Sequence, residues 1–424
     1  MLGSLFFQKD DHHIRINLGR TDVEDHKKGG GFLAKPRLPI GYFLIETKGK
    51  ITGFNARLDL YNAEARANIT TTSGSIDLNA IVHSEEMLIA YELQGNKAEK
   101  EINIQFYPLA AIAPARLQAD LDVAKLGKDK APKSRLSWHN KPYEYNPDPN
   151  VSTVKGYHLC HQTLVEGGET ATAWNIKKDK NKQILLVSIA HSYPENNATQ
   201  EVISQLQKTQ NSSFQQLQET HRQWWHNFYP KSFLSIDNTQ LESFYWIQVY
   251  KFASGARKNR GYMDTMGPWV VANTAWASGW FDLNTQLSYW FLSTANRLEV
   301  AESVFTKMDQ SHDIFVANMP ERFEGKCAGI GTIAPQSFIS PFPSSLGFMG
   351  DFTWLCHDYW MMLERTMDHD RIKTKYFPLL KKAINTYLYV MVKEKDGSIH
   401  LPPTRSPEYS KSDVDVNYNL ALFR

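Results

Sequence analysis

Two stretches of the N-terminal half, Ile14-Arg15-Ile16-Asn17-Leu18 and Ile102-Asn103-Ile104-Gln105-Phe106, alternate apolar and polar residues one by one. A period of two puts the apolar side chains on one face of an extended segment, which is typical of a half-buried β-strand. Similar runs, bounded by turn-forming residues, recur over most of the first half of the chain. The sequence therefore predicts an antiparallel β-sandwich of two sheets over residues 1–195.

The pattern changes to helical further along the chain. Apolar residues recur at roughly helical spacing between Val202 and Trp224, which predicts a helical connector over residues 196–235. Helix-sized segments then follow at residues 283–308, 351–367, 371–393 and 413–424. We predict a multidomain β + α protein in which residues 236–424 form a helical domain.

Composition limits the classes of partner. The 424 residues are enough for two or three domains, and a net charge of +2 gives no electrostatic reason to bind nucleic acid or an anionic membrane. No apolar run approaches the roughly 18 residues of a membrane span, so no membrane partner is predicted. Aromatic residues make up 12% of the chain, and several stand in segments rich in glycine or proline, where they are available to stack on the rings of an oligosaccharide or polysaccharide. The oligomeric state stays open.

Metal and cofactor sites find no support in the sequence. Cys160, Cys327 and Cys356 are far apart and odd in number, so they do not form a metal-binding knuckle. The histidines have no partners at the spacing of metal ligands. We predict no cofactor and no metal.

Two segments carry the residue types of glycoside hydrolysis, which requires a carboxylic acid to protonate the leaving oxygen and a second group to activate water. The first segment is Ser406-Pro407-Glu408-Tyr409, where proline and tyrosine next to Glu408 would remove water from the carboxyl group and raise its pKa. From the residues alone, the default interpretation of Glu408 is a solvated loop glutamate. The alternative is a general acid.

The second segment is Trp280-Phe281-Asp282-Leu283-Asn284-Thr285-Gln286. Asp282 stands where a helix N-cap belongs, so its default role is to bind the N–H groups of the first turn. Asn284 and Gln286 follow in that turn, where an amide can orient a water molecule or hold a sugar hydroxyl. The residues alone favour the structural interpretation and leave the catalytic one open.

Tryptophans cluster just upstream. Trp269, Trp276 and Trp280 are separated by small residues, and Asp264 opens the segment that leads to the first of them. The three rings are candidates for stacking on a sugar, with Asp264 as a polar contact. Filling of the core between helices is an equally good interpretation for each ring.

At these residues the chain resembles glycoside hydrolase family 95, which includes inverting 1,2-α-L-fucosidases and some α-L-galactosidases. Asp282 to Trp290 is similar to the family's Asn-x-Asn-x-Gln segment, and Ser406-Pro407-Glu408 is similar to its acid loop. The resemblance implies that Glu408 is the general acid and that Asn284 acts with Asp282 on the water. It also implies a β-sandwich, a connector and an (α/α)6 barrel.

The chain departs from the family pattern. Asp282 stands where the family has an asparagine, so this position would supply a carboxylate base directly. The family's base also relies on an aspartate from later in the barrel, beyond Arg424. Because both ends look cut, we expect a fragment with a partial barrel, and we expect the full-length protein to be periplasmic or secreted.

The resulting hypothesis is an inverting exo-α-L-fucosidase-like hydrolase. Inversion predicts that the carboxyl groups of Asp282 and Glu408 lie roughly 6.5–9.5 Å apart. The first alternative is an enzyme of the same architecture that acts on another α-linked sugar, such as L-galactose. The alternative from another class is a catalytically silent carbohydrate-binding fragment, and a polysaccharide lyase is a more distant third.

Overall fold

The computed structural model describes residues 1–29, 31–179, 181–270, 274, 276–409 and 411–424. Contacts between residues divide the chain into two compact units. The first unit comprises Met1–Asp25, Leu38–Gly255 and Gly267–Thr274, and the second comprises His26–Arg37, Ala256–Met266 and Ala275–Arg424. Each unit is therefore discontinuous in sequence.

Twelve strands of the first unit form two antiparallel sheets. Their bounds are β1 (Leu2–Gln8), β2 (His13–Arg20), β3 (Gly41–Glu46), β4 (Ile51–Asp59), β5 (Glu64–Thr71), β6 (Gly74–Val82), β7 (Ile89–Gly95), β8 (Asn103–Pro108), β9 (Asn150–Val154), β10 (Tyr157–Thr163), β11 (Glu169–Asp179) and β12 (Lys182–Ser192). One sheet has the strand order β1-β2-β3-β8, and the other has the order β4-β5-β6-β7-β12-β11-β10-β9.

The two sheets share one hydrophobic core. Ile14 and Ile16 of β2 are fully buried in it, together with Ile76 of β6 and Val187 of β12. Arg15, between the two isoleucines, is only half-buried, as the alternating pattern of the sequence requires. The predicted antiparallel β-structure of the N-terminal half is confirmed.

Five helices complete the first unit. They are α1 (Pro114–Leu126), α2 (Lys133–His139), α3 (Ala198–Thr209), α4 (Phe214–Phe228) and α5 (Thr239–Gly255). Leu206 of α3 and Leu217 of α4 pack with Leu186 of β12 on the other face of the larger sheet. This second core explains why the central strand β12 is buried along most of its length.

The second unit is mainly helical. Its elements are β13 (Gly279–Trp280), α6 (Asn284–Thr294), α7 (Leu298–Gln310), α8 (His312–Ala317), β14 (Ile333–Ala334), α9 (Asp351–Thr366), α10 (His369–Arg371), α11 (Phe377–Val390), β15 (Val392–Lys393), β16 (Ile399–His400) and α12 (Asn417–Phe423). A π-helical turn, Ile372–Tyr376, joins α10 to α11. The predicted order of β-structure followed by helices is confirmed.

One predicted helix is divided in two. The sequence predicts a single helix over residues 283–308, whereas α6 ends at Thr294 and α7 begins at Leu298. Between them Asn296 has φ +52°, a left-handed conformation that asparagine tolerates better than most residues. The apolar period continues through this break, so periodicity alone did not reveal it.

Candidate active site

The first candidate residues follow β13 directly. Phe281, the first residue after the strand, is fully buried and packs against Tyr262 and Phe338, with ring centroids 5.8 and 5.9 Å apart. Phe281, Asp282 and Leu283 form a turn that leads into α6. The buried Phe281 ring thus fixes the turn that carries Asp282.

Asp282 does not act as a helix cap. The helix α6 begins at Asn284, and Leu283 occupies the N-cap position without a side-chain hydrogen bond, so the default interpretation from the sequence is wrong. Asp282 is only 8% exposed, and its buried Oδ1 atom has no hydrogen-bond partner. Burial raises the pKa of Asp282, and the negative charge of Glu408 raises it further. Asn284 is half-buried in the adjoining first turn.

The pKa of Asp282 indicates that two segments far apart in the sequence lie near each other. Glu408 lies well over a hundred positions after Asp282 in the chain, yet its charge contributes to the pKa shift of that residue. Coulomb interactions between side chains fall with distance and with screening by water. The structure therefore places the two carboxyl groups within electrostatic reach of each other in the second unit.

Glu408 lies on a loop with a defined base. Thr404 and Asp413 form a pair of backbone hydrogen bonds, at 3.0 and 2.9 Å, that closes this loop. The Arg405 N–H donates to the Gly347 carbonyl at 2.7 Å, which fixes the loop to the segment before α9. The position of Glu408 is thus set by hydrogen bonds of the loop backbone.

The tip of the loop is a tight turn. The Tyr409 N–H donates to the Ser406 carbonyl at 3.2 Å, and Pro407 is the second residue of the turn. Glu408, the third residue, has φ +63°, the conformation that a type II turn requires at this position and that glycine normally adopts. A glutamate held there carries backbone strain, which proteins tend to place at functional sites.

Glu408 is more exposed than the sequence suggested. Its side chain is exposed, and the neighbouring Tyr409 is itself 71% exposed. Tyr409 therefore does not remove water from the Glu408 carboxyl group in this structure, and the predicted desolvation is not found. The buried carboxyl group of this pair is that of Asp282.

Gln286 connects the residue after β13 to the first residue of α9. Its side chain is fully buried, and its amide group donates to the carbonyl of Phe281 and, at 3.0 Å, to that of Asp351. The amide nitrogen thus holds the end of β13 against the start of α9. The predicted sugar contact of Gln286 stays a prediction.

Asp351 is a carboxyl group that the sequence interpretation missed. It is the first residue of α9, is 1% exposed, and accepts a hydrogen bond on Oδ2 from Thr332 Oγ1 at 2.9 Å. Its Oδ1 atom is buried without a partner. Burial raises the pKa of Asp351 well above its ordinary value, and the charge of Asp282 adds to this effect. The sequence signal is weak, because an aspartate at the start of a helix usually serves the helix dipole.

The helix α12 packs closely against the residue that precedes α9. A Cβ atom added to Gly350 would lie 2.4 Å from the Tyr418 ring and 2.7 Å from Asn419 Oδ1, so glycine permits close packing there. Asn419 also donates to Thr404 Oγ1 at 2.8 Å, at the base of the Glu408 loop. Burial and the charges of Asp351 and other neighbours raise the pKa of the Tyr418 hydroxyl.

Two of the three candidate tryptophans lie together. The rings of Trp276 and Trp280 are 4.5 Å apart between centroids and inclined by 35°. Trp276 is 49% exposed, so part of this pair is open to a ligand. Trp269 is half-buried and belongs to the first unit, and its predicted role stays a prediction.

Asp264 has partners within the protein. It is 5% exposed, and its Oδ2 atom accepts from Arg37 Nε at 2.7 Å. Its Oδ1 atom accepts the Met266 N–H at 2.9 Å. Both oxygens are therefore engaged, and the predicted contact between Asp264 and a sugar stays a prediction.

Among the described residues, no group of three or more histidine, cysteine, aspartate or glutamate side chains is arranged to hold a metal ion. In the same part of the chain, no helix combines the length and apolar character that a membrane crossing needs. Cys160, Cys327 and Cys356 are all buried free thiols.

Similarity to known proteins extends over the whole site. Residues 187–421 match the model of the glycosyl hydrolase family 95 catalytic domain. The chain is also similar to alpha-L-fucosidase 2 from Arabidopsis thaliana, with 27% identity over 150 residues, which are 30% of this chain and 16% of the plant protein. The chain thus spans a small part of that relative.

A solved structure supports the fold. A protein from the human microbiome, provisionally described as a kojibiose phosphorylase, superposes with a TM-score of 0.67 over 97% of this chain and 59% of the other chain. The sequences are 11% identical, so this likeness concerns the fold alone. Since the family model covers more than half of the chain and includes Asp282, Asn284 and Glu408, the chain belongs to glycoside hydrolase family 95.

Proposed function

We propose that the chain is the site-bearing part of an inverting exo-α-L-fucosidase-like hydrolase, which removes terminal α-linked L-fucose from glycans. Membership of the family and the likeness to alpha-L-fucosidase 2 support this proposal. The observation that carries it is that Glu408, held on a tight turn, lies within electrostatic reach of the buried Asp282 carboxyl group, although the two are far apart in the sequence. An acid and a base on opposite sides of one bond require such convergence.

In the proposed reaction, Glu408 gives its proton to the glycosidic oxygen as the bond to the anomeric carbon breaks. A water molecule attacks that carbon from the opposite face. Asn284 orients the water, and Asp282 accepts its proton, because an amide side chain cannot serve as a base. Burial raises the pKa of Asp282, which makes its carboxylate a stronger base near neutral pH.

We also propose that the helices α6 to α12 of the second unit are part of an (α/α)6 barrel, within a domain that spans residues 236–424. The predicted β-sandwich of residues 1–195 and the connector of residues 196–235 complete this organisation. The likeness to the human microbiome protein, which covers 97% of this chain, supports the arrangement. The aromatic pair of Trp276 and Trp280 supports a carbohydrate substrate, because aromatic rings line most sites for uncharged ligands.

The test is hydrolysis of 2′-fucosyllactose by the wild-type chain and by Glu408→Gln. Removal of a general acid typically lowers the rate by about 100-fold to 10,000-fold. Glu324→Gln is a matched control, because Glu324 is also an exposed glutamate with a positive φ of +51°, and it should leave the rate unchanged. NMR of the first product should detect the inverted anomer.

Two results would contradict the proposal. Equal rates for wild type and Glu408→Gln would remove Glu408 from the acid role. Binding of 2′-fucosyllactose without any hydrolysis would instead favour a silent carbohydrate-binding protein. Faster cleavage of an α-L-galactoside than of the matching fucoside would keep the mechanism and change the substrate.

A further inference from the structure

A short N-terminal segment belongs to the helical unit. Residues His26–Arg37 group with the second unit, although the chain on both sides of them belongs to the first unit. The segment contains a 3-10 turn, Gly31–Leu33. Nothing in the local sequence indicates this assignment, because the partners of the segment lie more than 200 positions further along the chain.

Hydrogen bonds anchor the end of the segment close to β13. The Arg37 guanidinium and the Asp264 carboxylate form an ion pair with side chains that are 2% and 3% exposed. The Arg37 N–H donates to the Ala277 carbonyl at 2.7 Å. Ser278 Oγ donates to the Lys35 carbonyl at 3.0 Å. The segment is therefore bound to the residues that directly precede Trp280.

These anchors position Phe32 beside the tryptophan pair. The Phe32 ring centroid lies 5.4 Å from that of Trp280 and 6.1 Å from that of Trp276. Both distances are in the range of favourable aromatic pairs. Phe32 and Trp280 are half-buried, and Trp276 is exposed. The three rings form one partly open surface, which we name the aromatic platform.

The platform adjoins the candidate catalytic residues. Trp280 is the last residue of β13, and Asp282 follows in the turn that leads into α6. The platform thus begins two residues before the carboxyl group on which Glu408 acts. A sugar bound near Asp282 would have an aromatic wall within reach.

We propose that Phe32, with Trp276 and Trp280, forms the apolar wall that binds the sugar, so that the N-terminal segment supplies a substrate-binding residue to the helical unit. This inference rests on the proposed function. The C–H face of a pyranose, and above all the methyl group of a 6-deoxy sugar, is apolar and suits such a wall. The wall orients the ring, while the polar residues act at the anomeric carbon.

Titration with L-fucose tests the platform, because this sugar cannot be hydrolysed and its binding needs no catalysis. Phe32→Ala should weaken L-fucose binding about tenfold, which corresponds to about 1.4 kcal/mol. Phe32→Leu keeps an apolar side chain but lacks the ring, and it should weaken binding by a smaller factor of about three. Phe54→Ala is the control, since Phe54 is also half-buried and aromatic-paired but belongs to the first unit.

The outcomes separate this inference from the proposed function. Weaker binding in both Phe32 variants, with the melting temperature unchanged in Phe32→Leu, supports the platform even if the chain hydrolyses nothing. Wild-type affinity in Phe32→Leu, together with loss in Phe32→Ala, would reduce Phe32 to a packing role and overturn the inference. Wild-type affinity in both variants, or absence of L-fucose binding to the wild-type chain, would also overturn it.

Discussion

Buried carboxyl groups occur in both units, and four of them allow a comparison, two in the first unit and two at the candidate site. Glu64 and Glu99 of the first unit are each 1% exposed, as is Asp351, and Asp282 is 8% exposed. Burial by itself raises the pKa of all four groups. The two regions differ in what else surrounds the carboxyl groups.

The carboxylates of the first unit are fully partnered. Arg222 and Arg66 both donate to Glu64, and their hydrogen bonds and charges lower its pKa in spite of burial. Glu99 accepts two backbone N–H groups at 2.9 Å each and the Thr71 hydroxyl at 2.7 Å. These bonds also lower its pKa. Such groups are buried as stable anions that hold the fold together.

The carboxyl groups of the candidate site have fewer partners. Asp351 accepts a hydrogen bond from Thr332, but Asp282 and Asp351 each have a buried oxygen without a hydrogen bond. Among the described residues, no cation contributes to either pKa shift. Native proteins leave few buried polar groups unsatisfied. Among these four carboxyl groups, the unpartnered oxygens lie where the proposed reaction needs a proton acceptor.

The largest expected effect concerns a paired carboxylate near the site. Asp264→Asn keeps the shape of the side chain but removes the negative charge from the buried ion pair with Arg37, and it should destabilise the fold by about 3–5 kcal/mol. Chemical denaturation measures this change. Asp11→Asn breaks an exposed pair with Lys50 and should leave the denaturation midpoint unchanged. Equal midpoints for Asp264→Asn and wild type would show that the buried pair does not stabilise the protein.

A second prediction separates catalysis from stability. Asp282→Ala should lower kcat for a fucoside by about 100-fold to 1,000-fold, while the melting temperature stays the same or rises, because an unsatisfied buried group is removed. Glu99→Ala should do the reverse and lower the melting temperature, since three hydrogen bonds to it are lost. A strong loss of stability in Asp282→Ala, with kcat retained, would place Asp282 among the structural carboxylates.

The pH dependence of unfolding provides the third prediction. The raised pKa of Asp351 means that the native state binds a proton that the unfolded chain has already released. This stabilisation is complete below the ordinary carboxyl pKa and is lost as pH rises towards the native pKa. An asparagine at this position does not titrate, so the stability of Asp351→Asn should not fall in this way. Between the ordinary and the native pKa, the free energy of unfolding of the variant should rise relative to wild type by up to about 1.4 kcal/mol per pH unit.

Glu99→Gln should show the opposite dependence of stability on pH. The lowered pKa of Glu99 contributes stability above the ordinary carboxyl pKa, and this stability is lost as pH falls through the lowered native pKa. Wild type should therefore exceed Glu99→Gln in stability by more at neutral pH than in acid. The stability difference between variant and wild type should rise with pH for Asp351→Asn and fall with pH for Glu99→Gln. A change in the same direction for both variants would contradict the distinction between the two regions.

Local pattern predicted much of this architecture. Alternation identified the strands, and helical spacing identified most of the helices, because both depend on neighbouring residues. The catalytic roles of Asp282 and Glu408 do not follow from local pattern; the family resemblance implies them, and they stay a prediction. Asp351 and Phe32 were not identified from the sequence, because their importance arises from packing against β13, α6 and α12, and the sequence does not specify such distant contacts. The left-handed Asn296 between α6 and α7 escaped detection for a different reason, since the apolar period does not change there.

The proposed mechanism requires that Asp282 and Glu408 face a common site. The most direct test of this requirement is the pKa of Asp282, measured by NMR of labelled aspartate carboxyl groups in wild type and in Glu408→Gln. Removing the negative charge of Glu408 should lower the pKa of Asp282, because part of its rise comes from that charge. Glu324→Gln, which removes another exposed glutamate of the second unit, should leave the pKa unchanged. An Asp282 pKa that is identical in wild type and Glu408→Gln would contradict the proposal that the two residues face a common site.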